Sequence, residues 1–300
     1  MSKAQVIYKL GAPDVMKWQE WAVADPNSGE VRLRHTAIGV NFADTYHRGG
    51  ISHPWPVPSC PLVVGFEGVG IVESVGDGVT DFKKGDRVAY GIPPLGSYSE
   101  IRNYPADKLL HLPDGLDDKQ VAGLLMKGMT AHYLLYRTYK VQRGDTILVH
   151  AAAGGMGLIL CQWAKALGAT IVGTVSTEEK AEVARSAGCH YPVVRSKDSF
   201  KDTVRAVSDG EGAAVVYEAI GKDTLQDSLD SLRPMGVCAA YGHVSGPPDP
   251  VDIIQDLGRR GSLFITRPAI MHYVAKREDL EWTARDLFKA IGDNILDANF

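Results

Sequence analysis

The stretch from Gly144 to Pro268 restricts the fold of this chain more than any other. Strand-like and helix-like segments alternate through it, with strands predicted at 146–150, 170–175, 191–194, 213–217, 237–241 and 263–266. These runs are short, apolar and barely alternating, the pattern of strands covered on both faces. Helices are predicted between them, for instance at 156–167 and 178–187. Strand and helix taking turns in this way predict an α/β fold, a doubly wound parallel sheet with helices on both faces.

The first of these strands runs into Ala151-Ala152-Ala153-Gly154-Gly155-Met156-Gly157 and then a helix. Small residues at such a turn let the backbone approach a pyrophosphate, and the helix that follows aims its free N–H groups and positive dipole end at the phosphates. The spacing departs from G-x-G-x-x-G, because an alanine takes the first glycine position, so the turn predicts a dinucleotide without choosing one. The choice falls to the second strand. In NAD-binding folds an acidic residue near its tip holds the ribose 2′-hydroxyl. Here the strand ends in Ser176-Thr177, with Lys180 four residues beyond Ser176 and Arg195 after the third strand. Hydroxyl and cationic groups suit a 2′-phosphate, so Ser176, Lys180 and Arg195 predict NADPH rather than NADH. Glu178 and Glu179 are read as solvent-facing acids at a helix N-terminus.

Residues 1–122 have a different character, with short β-patterned runs between Gly and Pro turns, as at 31–38, 68–76 and 85–90. A helical pattern covers 121–139 and an amphipathic helix 280–291. At 300 residues, with 45% hydrophobic and 23% charged side chains, the chain has material for two cores. A net charge of −4 gives no electrostatic reason to expect nucleic-acid or anionic-membrane binding. No bilayer-length apolar run and no signal-peptide pattern are present, so the expected compartment is the cytoplasm. Cys60, Cys161, Cys189 and Cys238 are too scattered for a zinc or disulfide framework and read as buried free thiols.

Several segments together resemble the medium-chain dehydrogenase/reductase superfamily, and within it the zinc-free NADPH:quinone oxidoreductases related to zeta-crystallin. They are Gly39-Val40-Asn41-Phe42-Ala43-Asp44-Thr45-Tyr46, the run Pro61 to Gly70, Val75-Gly76 through Val88, Lys127-Gly128-Met129-Thr130-Ala131, Ala151 to Gly157, and Cys161-Gln162-Trp163-Ala164-Lys165. The resemblance implies a Rossmann NADPH-binding domain at 123–267 inserted in a mostly β GroES-like catalytic domain. The latter would consist of 1–122 and a return segment at 268–300 that reads as truncated, with a cleft between the domains. It carries cofactor contacts to Asn41, Tyr46, Lys127 and Thr130, then to Gly154, Gly155, Met156, Gly157, Ser176 and Lys180. Gly221, Gly242 and Ser245 are expected to line the nicotinamide end. Arg195 stands where close relatives often place an aromatic ring over the adenine, and Ile51 to Trp55 replaces a stretch that holds a tyrosine.

Zinc-dependent members of the superfamily carry a Gly-His-Glu where this chain has Gly65-Phe66-Glu67, and phenylalanine cannot ligate. No metal is therefore expected. Without a Lewis acid, a conjugated carbonyl is the easier substrate, and the expected reaction is reduction of a quinone by NADPH. Reduction of an activated C=C bond in enones or alkenals is the alternative, and a non-catalytic NADPH-binding sensor, crystallin or RNA-binding protein stands in another class. Tyr46, His53 and His243 are the candidate acids, Tyr46 foremost. The apolar strand at 262–266 falls last in the sheet, an edge that predicts a homodimer.

Overall fold

A computed structural model of the chain describes residues 2–51 and 59–297. His53 and the neighbouring substitutions from Ser52 to Trp55 lie outside the described residues. Two compact units are present: the chain up to Met129 together with Tyr273–Gly292, and Thr130–His272 with a short stretch from Asp293 onward.

The first unit is mostly β. Its strands are β1 (Ser2–Ile7), β2 (Lys17–Trp21), β3 (Glu30–Gly39), β4 (Leu62–Val63), β5 (Glu67–Val75), β6 (Arg87–Tyr90), β7 (Ile101–Pro105) and β8 (Leu110–His111), with α1 (Phe42–Gly49) after β3. They form a three-stranded sheet ordered β2-β1-β4 and a five-stranded sheet ordered β7-β3-β5-β6-β8. All these pairings are antiparallel, and register shifts fall in β3 between Arg32 and Leu33 and between His35 and Ala37. Val31, Leu33, Val72, Val88, Tyr90 and Tyr104 fill the core beneath the larger sheet. The Arg102 guanidinium lies over both tyrosine rings, at 5.0 and 4.7 Å from their centroids.

Helix α2 (Asp118–Tyr133) continues as a π-helical turn at Leu134–Thr138. The helical pattern at 121–139 is therefore two geometries in succession.

The second unit is the doubly wound sheet. Its strands are β9 (Thr146–Val149), β10 (Thr170–Val175), β11 (Tyr191–Val194), β12 (Ala213–Glu218), β13 (Leu232–Ala240) and β14 (Phe264–Thr266), in spatial order β11-β10-β9-β12-β13-β14. Every pairing is parallel. The helices α3 (Gly155–Leu167), α4 (Glu178–Ser186), α5 (Phe200–Val207), α6 (Leu225–Asp230) and α7 (Ile270–Tyr273) follow the strands. Leu148, Val172, Val216, Leu225 and Leu229 are buried together with Cys238, and each of the aliphatic side chains contributes roughly 1.5–3 kcal/mol on leaving water. Strand β13 starts at Leu232 rather than 237. Arg233-Pro234-Met235-Gly236 extends the strand beside a register shift between Ala213 and Val215.

Helix α8 (Arg277–Gly292) belongs to the first unit. Arg277 ties it down by donating to the carbonyls of Asp107 at 3.0 Å and Leu109 at 2.6 Å. Leu287 fills the space that a Cβ at Gly128 would need. No helix among the described residues is long and apolar enough to cross a membrane. Cys161, Cys189 and Cys238 are buried free thiols, whereas Cys60 is only half-buried.

Candidate functional site

Strand order reverses between β9 and β12, because β10 and β11 add on one side of β9 while β12, β13 and β14 add on the other. Beyond the carboxyl ends of the strands at such a reversal, the outgoing turns diverge and leave a crevice, the usual ligand position in open α/β sheets. The glycine turn sits there, directly after β9.

Ala151 opens that turn with φ +52°, a left-handed conformation costly for a residue with a Cβ and frequent at functional sites. Gly154 accepts the role of N-cap, its own N–H donating to the Ala151 carbonyl at 2.8 Å, and α3 begins at Gly155. The N–H groups of Gly155, Met156 and Gly157 form the first turn of α3, where no helical acceptor exists for them. A Cβ at Gly157 would collide with the Ala151 carbonyl and come within 2.6 Å of the Ala152 Cα. Glycine there lets the helix close on the strand. The turn thus fits a pyrophosphate: small, with free donors and a positive helix end.

At the tip of β10, Lys180 Nζ donates to Ser176 Oγ at 3.1 Å. Thr177 caps α4 by accepting from the Lys180 backbone N–H. Arg195 N–H donates to the Val175 carbonyl at 3.1 Å, which brings the start of the loop after β11 beside the same tip. Glu178 is engaged by Lys197 at 2.5 Å. A hydrogen bond from Thr177 holds the Glu179 carboxyl below its ordinary range. The Lys180 ammonium and the Ser176 hydroxyl at this tip suit a phosphate.

The turns after β12 and β13 clasp each other. Ser245 Oγ donates to the Ile220 carbonyl at 2.8 Å and accepts from Asp223 N–H at 3.1 Å. Gly242 N–H donates to the Glu218 carbonyl at 3.2 Å. Gly221 has φ +95°, and a Cβ on it would lie 3.0 Å from the His243 Cα. Gly221, Gly242 and Ser245 are therefore neighbours. His243 is half-buried, and burial together with the Arg267 charge pushes its pKa down.

In the first unit, Asn41 and Lys127 share a carboxylate that sequence reasoning passed over. Glu67, wholly buried, accepts from Asn41 Nδ2 at 2.7 Å and Met126 N–H at 2.7 Å, with Lys127 Nζ at 3.9 Å. Burial drives the Glu67 pKa up, and the Lys127 ammonium opposes the rise. Lys127 Nζ also donates to the Val40 and Gly123 carbonyls. Asp44 accepts from Asn41 N–H and from the Tyr98 hydroxyl at 2.8 Å. Tyr46 is buried on α1, with Phe42 edge-on at 5.4 Å between ring centroids. Thr130, the first residue of the second unit, is half-buried on α2. Phe66 is buried and meets His47 edge-on at 4.9 Å. Among the described residues, no group of three or more His, Cys, Asp or Glu side chains is placed to hold a metal ion.

Beneath the strand reversal lie two more residues that the sequence did not single out. His150 follows β9 and Glu218 ends β12, and both are wholly buried. Glu218 accepts from the N–H groups of Ile220 at 2.7 Å and Gly221 at 3.1 Å, from Thr224 Oγ1 at 3.0 Å and from Ser228 Oγ at 2.5 Å. His150 Nε2 stands 2.8 Å from Ser228 Oγ and 3.4 Å from Glu218, and Nδ1 stands 2.9 Å from Thr174 Oγ1. A single polar residue closing an apolar strand was the only signal in the sequence.

A parallel sheet with this turn, in a chain whose other unit is mostly β and takes in Tyr273–Gly292, is the organisation of a dinucleotide-dependent oxidoreductase. Comparison with known proteins sharpens that class. Residues 27–114 match the alcohol dehydrogenase GroES-like domain and residues 155–284 match the zinc-binding dehydrogenase family. A 2-haloacrylate reductase from a Burkholderia species is 56% identical over 298 residues, covering 99% of this chain and 90% of the relative. A quinone oxidoreductase of Pseudomonas aeruginosa is 44% identical over 301 residues, covering 100% and 91%. The crystal structure of Escherichia coli quinone oxidoreductase complexed with NADPH superposes with a TM-score of 0.93 at 39% identity, over 99% of this chain and 89% of that one. The chain belongs to the quinone oxidoreductase-like family of the medium-chain dehydrogenase/reductase superfamily.

Proposed function

We propose that the chain is a zinc-independent NADPH:quinone reductase. The observation that carries this reading is the tip of β10, where Ser176 and Lys180 are hydrogen-bonded to each other and no carboxylate ends the strand. The NADPH complex of the E. coli relative supports it. In this reading Gly154, Gly155, Met156 and Gly157 receive the pyrophosphate, and Ser176, Lys180 and Arg195 the 2′-phosphate. Gly221, Gly242 and Ser245 line the nicotinamide end. Asn41, Tyr46, Lys127 and Thr130 are assigned to the cofactor from the family resemblance, and the Tyr46 hydroxyl to a donor role near the reacting ring. Bound NADPH supplies the hydride equivalent. The protein's part is to hold the ring against an electron-poor carbon and keep water away from it.

Reduction of an activated C=C bond is the second reading, favoured by the identity to a 2-haloacrylate reductase. The two are separated by following NADPH oxidation with 1,4-benzoquinone and with 2-chloroacrylate on one preparation. The first reading expects the larger kcat/KM with the quinone. A larger value with 2-chloroacrylate moves the assignment to the alkene, and turnover of neither refutes both.

A further inference from the structure

His150 and Glu218 face each other across β9 and β12, the two strands between which the sheet reverses its order. Their hydrogen bonds can be given a direction. The Glu218 carboxylate accepts the one hydrogen of the Ser228 hydroxyl, so Ser228 Oγ must accept from His150 Nε2. Thr174 Oγ1 accepts from Ala151 N–H at 3.3 Å and donates to His150 Nδ1. That makes His150 the neutral tautomer with hydrogen on Nε2, which it donates to Ser228 Oγ. Ser228 in turn donates to Glu218. Burial lowers the His150 pKa, in keeping with a neutral ring. The other hydrogen bonds to the Glu218 side chain, from Ile220 N–H, Gly221 N–H and Thr224 Oγ1, all donate to its carboxylate.

A buried polar network is costly unless all its members are satisfied, and when they are it imposes one geometry on its neighbours. The geometry fixed here is that of two turns. Glu218 fixes Ile220, Gly221 and Thr224 in the turn after β12. At the other end, Thr174 fixes the N–H of Ala151, the residue in a left-handed conformation that opens the glycine turn. We propose that the chain Glu218–Ser228–His150–Thr174 is a positioning device for the cofactor, which sets the spacing and orientation of the two turns on either side of the strand reversal. The proposal rests on the NADPH reading above and makes Glu218 a positioning residue that touches neither cofactor nor substrate.

The test is Glu218→Gln, which keeps the shape and turns one acceptor into a donor. Either orientation of the new amide sets its nitrogen against groups that now donate. Three quantities are read on wild type and variant: melting temperature, Kd for NADPH, and Kd for adenosine 2′,5′-bisphosphate, which lacks the nicotinamide half. We expect the NADPH Kd to rise at least tenfold and the bisphosphate Kd at most threefold in folded protein. An unchanged NADPH Kd overturns the proposal. So does an equal weakening of both ligands, since the network would then support the sheet as a whole. If Glu218→Gln does not fold, Ser228→Ala breaks the link to His150 while leaving the carboxylate its backbone donors. The same preferential loss for NADPH is then expected at threefold or more, and its absence overturns the proposal. A wild type that binds neither ligand overturns the NADPH reading and this proposal with it. A wild type that binds both, beside an unaffected variant, overturns the proposal alone.

Discussion

In the proposed reading, Lys180 bears most of the weight in the choice of cofactor. Its ammonium is held at the end of β10 by Ser176, on a helix whose first turn is capped by Thr177. A charged hydrogen bond to a phosphate contributes about 1.5–3 kcal/mol when enclosed, and less at an exposed tip. Lys180→Ala is therefore expected to raise the Kd for NADPH about tenfold, equivalent to roughly 1.4 kcal/mol. NADH, which has no 2′-phosphate, should change by less than twofold. Titration of cofactor fluorescence on both proteins reads this directly. Equal losses for the two cofactors would mean that Lys180 does not meet the phosphate.

Among the elements, β14 carries a prediction of its own. It is an edge strand of the parallel sheet, and Phe264 on it is 60% exposed, with Met235 on the neighbouring β13 at 70%. An apolar strand with an open side invites pairing with a copy of itself, and a two-fold dimer closes both edges at once. Light scattering at micromolar concentration is expected to report twice the 32.5 kDa chain mass. Phe264→Glu should shift the population toward monomer, and a monomeric wild type would count against the pairing. The elements were also what the sequence revealed most fully. The strands at 170–175 and 191–194 are bounded as the pattern implied, and the helix after the glycine turn starts one residue early. Those signals are local: an apolar run, a small-residue turn, a helix period. The residues that escaped are held by distant partners. His150 meets Ser228 across 78 positions, and Glu67 meets Met126 across 59. Nothing near either residue in the chain announces its partner: His150 only follows the apolar β9 and Glu67 only opens β5.

For the molecule as a whole, the titrating groups predict how stability follows pH. His35, enclosed between the Ser99 carbonyl and the Tyr90 hydroxyl at 2.6 Å each, has its pKa lowered to about 4 by burial, with the Arg102 charge adding to the effect. Unfolding restores the ordinary value of 6.5. Between those two values the unfolded chain binds more protons, so stability falls as pH drops from 6.5 to 4 and the effect is complete below 4. His35 accounts for at most about 3 kcal/mol of that loss. His47, His150 and His243 are shifted in the same direction by burial. Asp44 and Glu67, raised by burial, work against it, since their folded forms take up protons at higher pH than their unfolded forms. The melting temperature is expected to decline from pH 6.5 to 4, and His35→Asn to flatten that decline. An identical slope in the variant would show that the His35 ring is not the group responsible.

The pairing of β9 with β12 has a consequence for the newborn chain. β9 is complete at Val149, and its partner on that side begins only at Ala213. At about 5–20 residues per second, a ribosome needs several seconds to cover that interval. During that time β9, β10 and β11 can assemble, but Thr146-Ile147-Leu148-Val149 presents bare amide and carbonyl groups along a greasy margin. Such a margin is a template for any other extended strand nearby. The centre of the finished sheet is thus the most adhesive surface of the half-made one. A pause in translation between these two strands would be expected to cost soluble yield more than the same pause after Glu218.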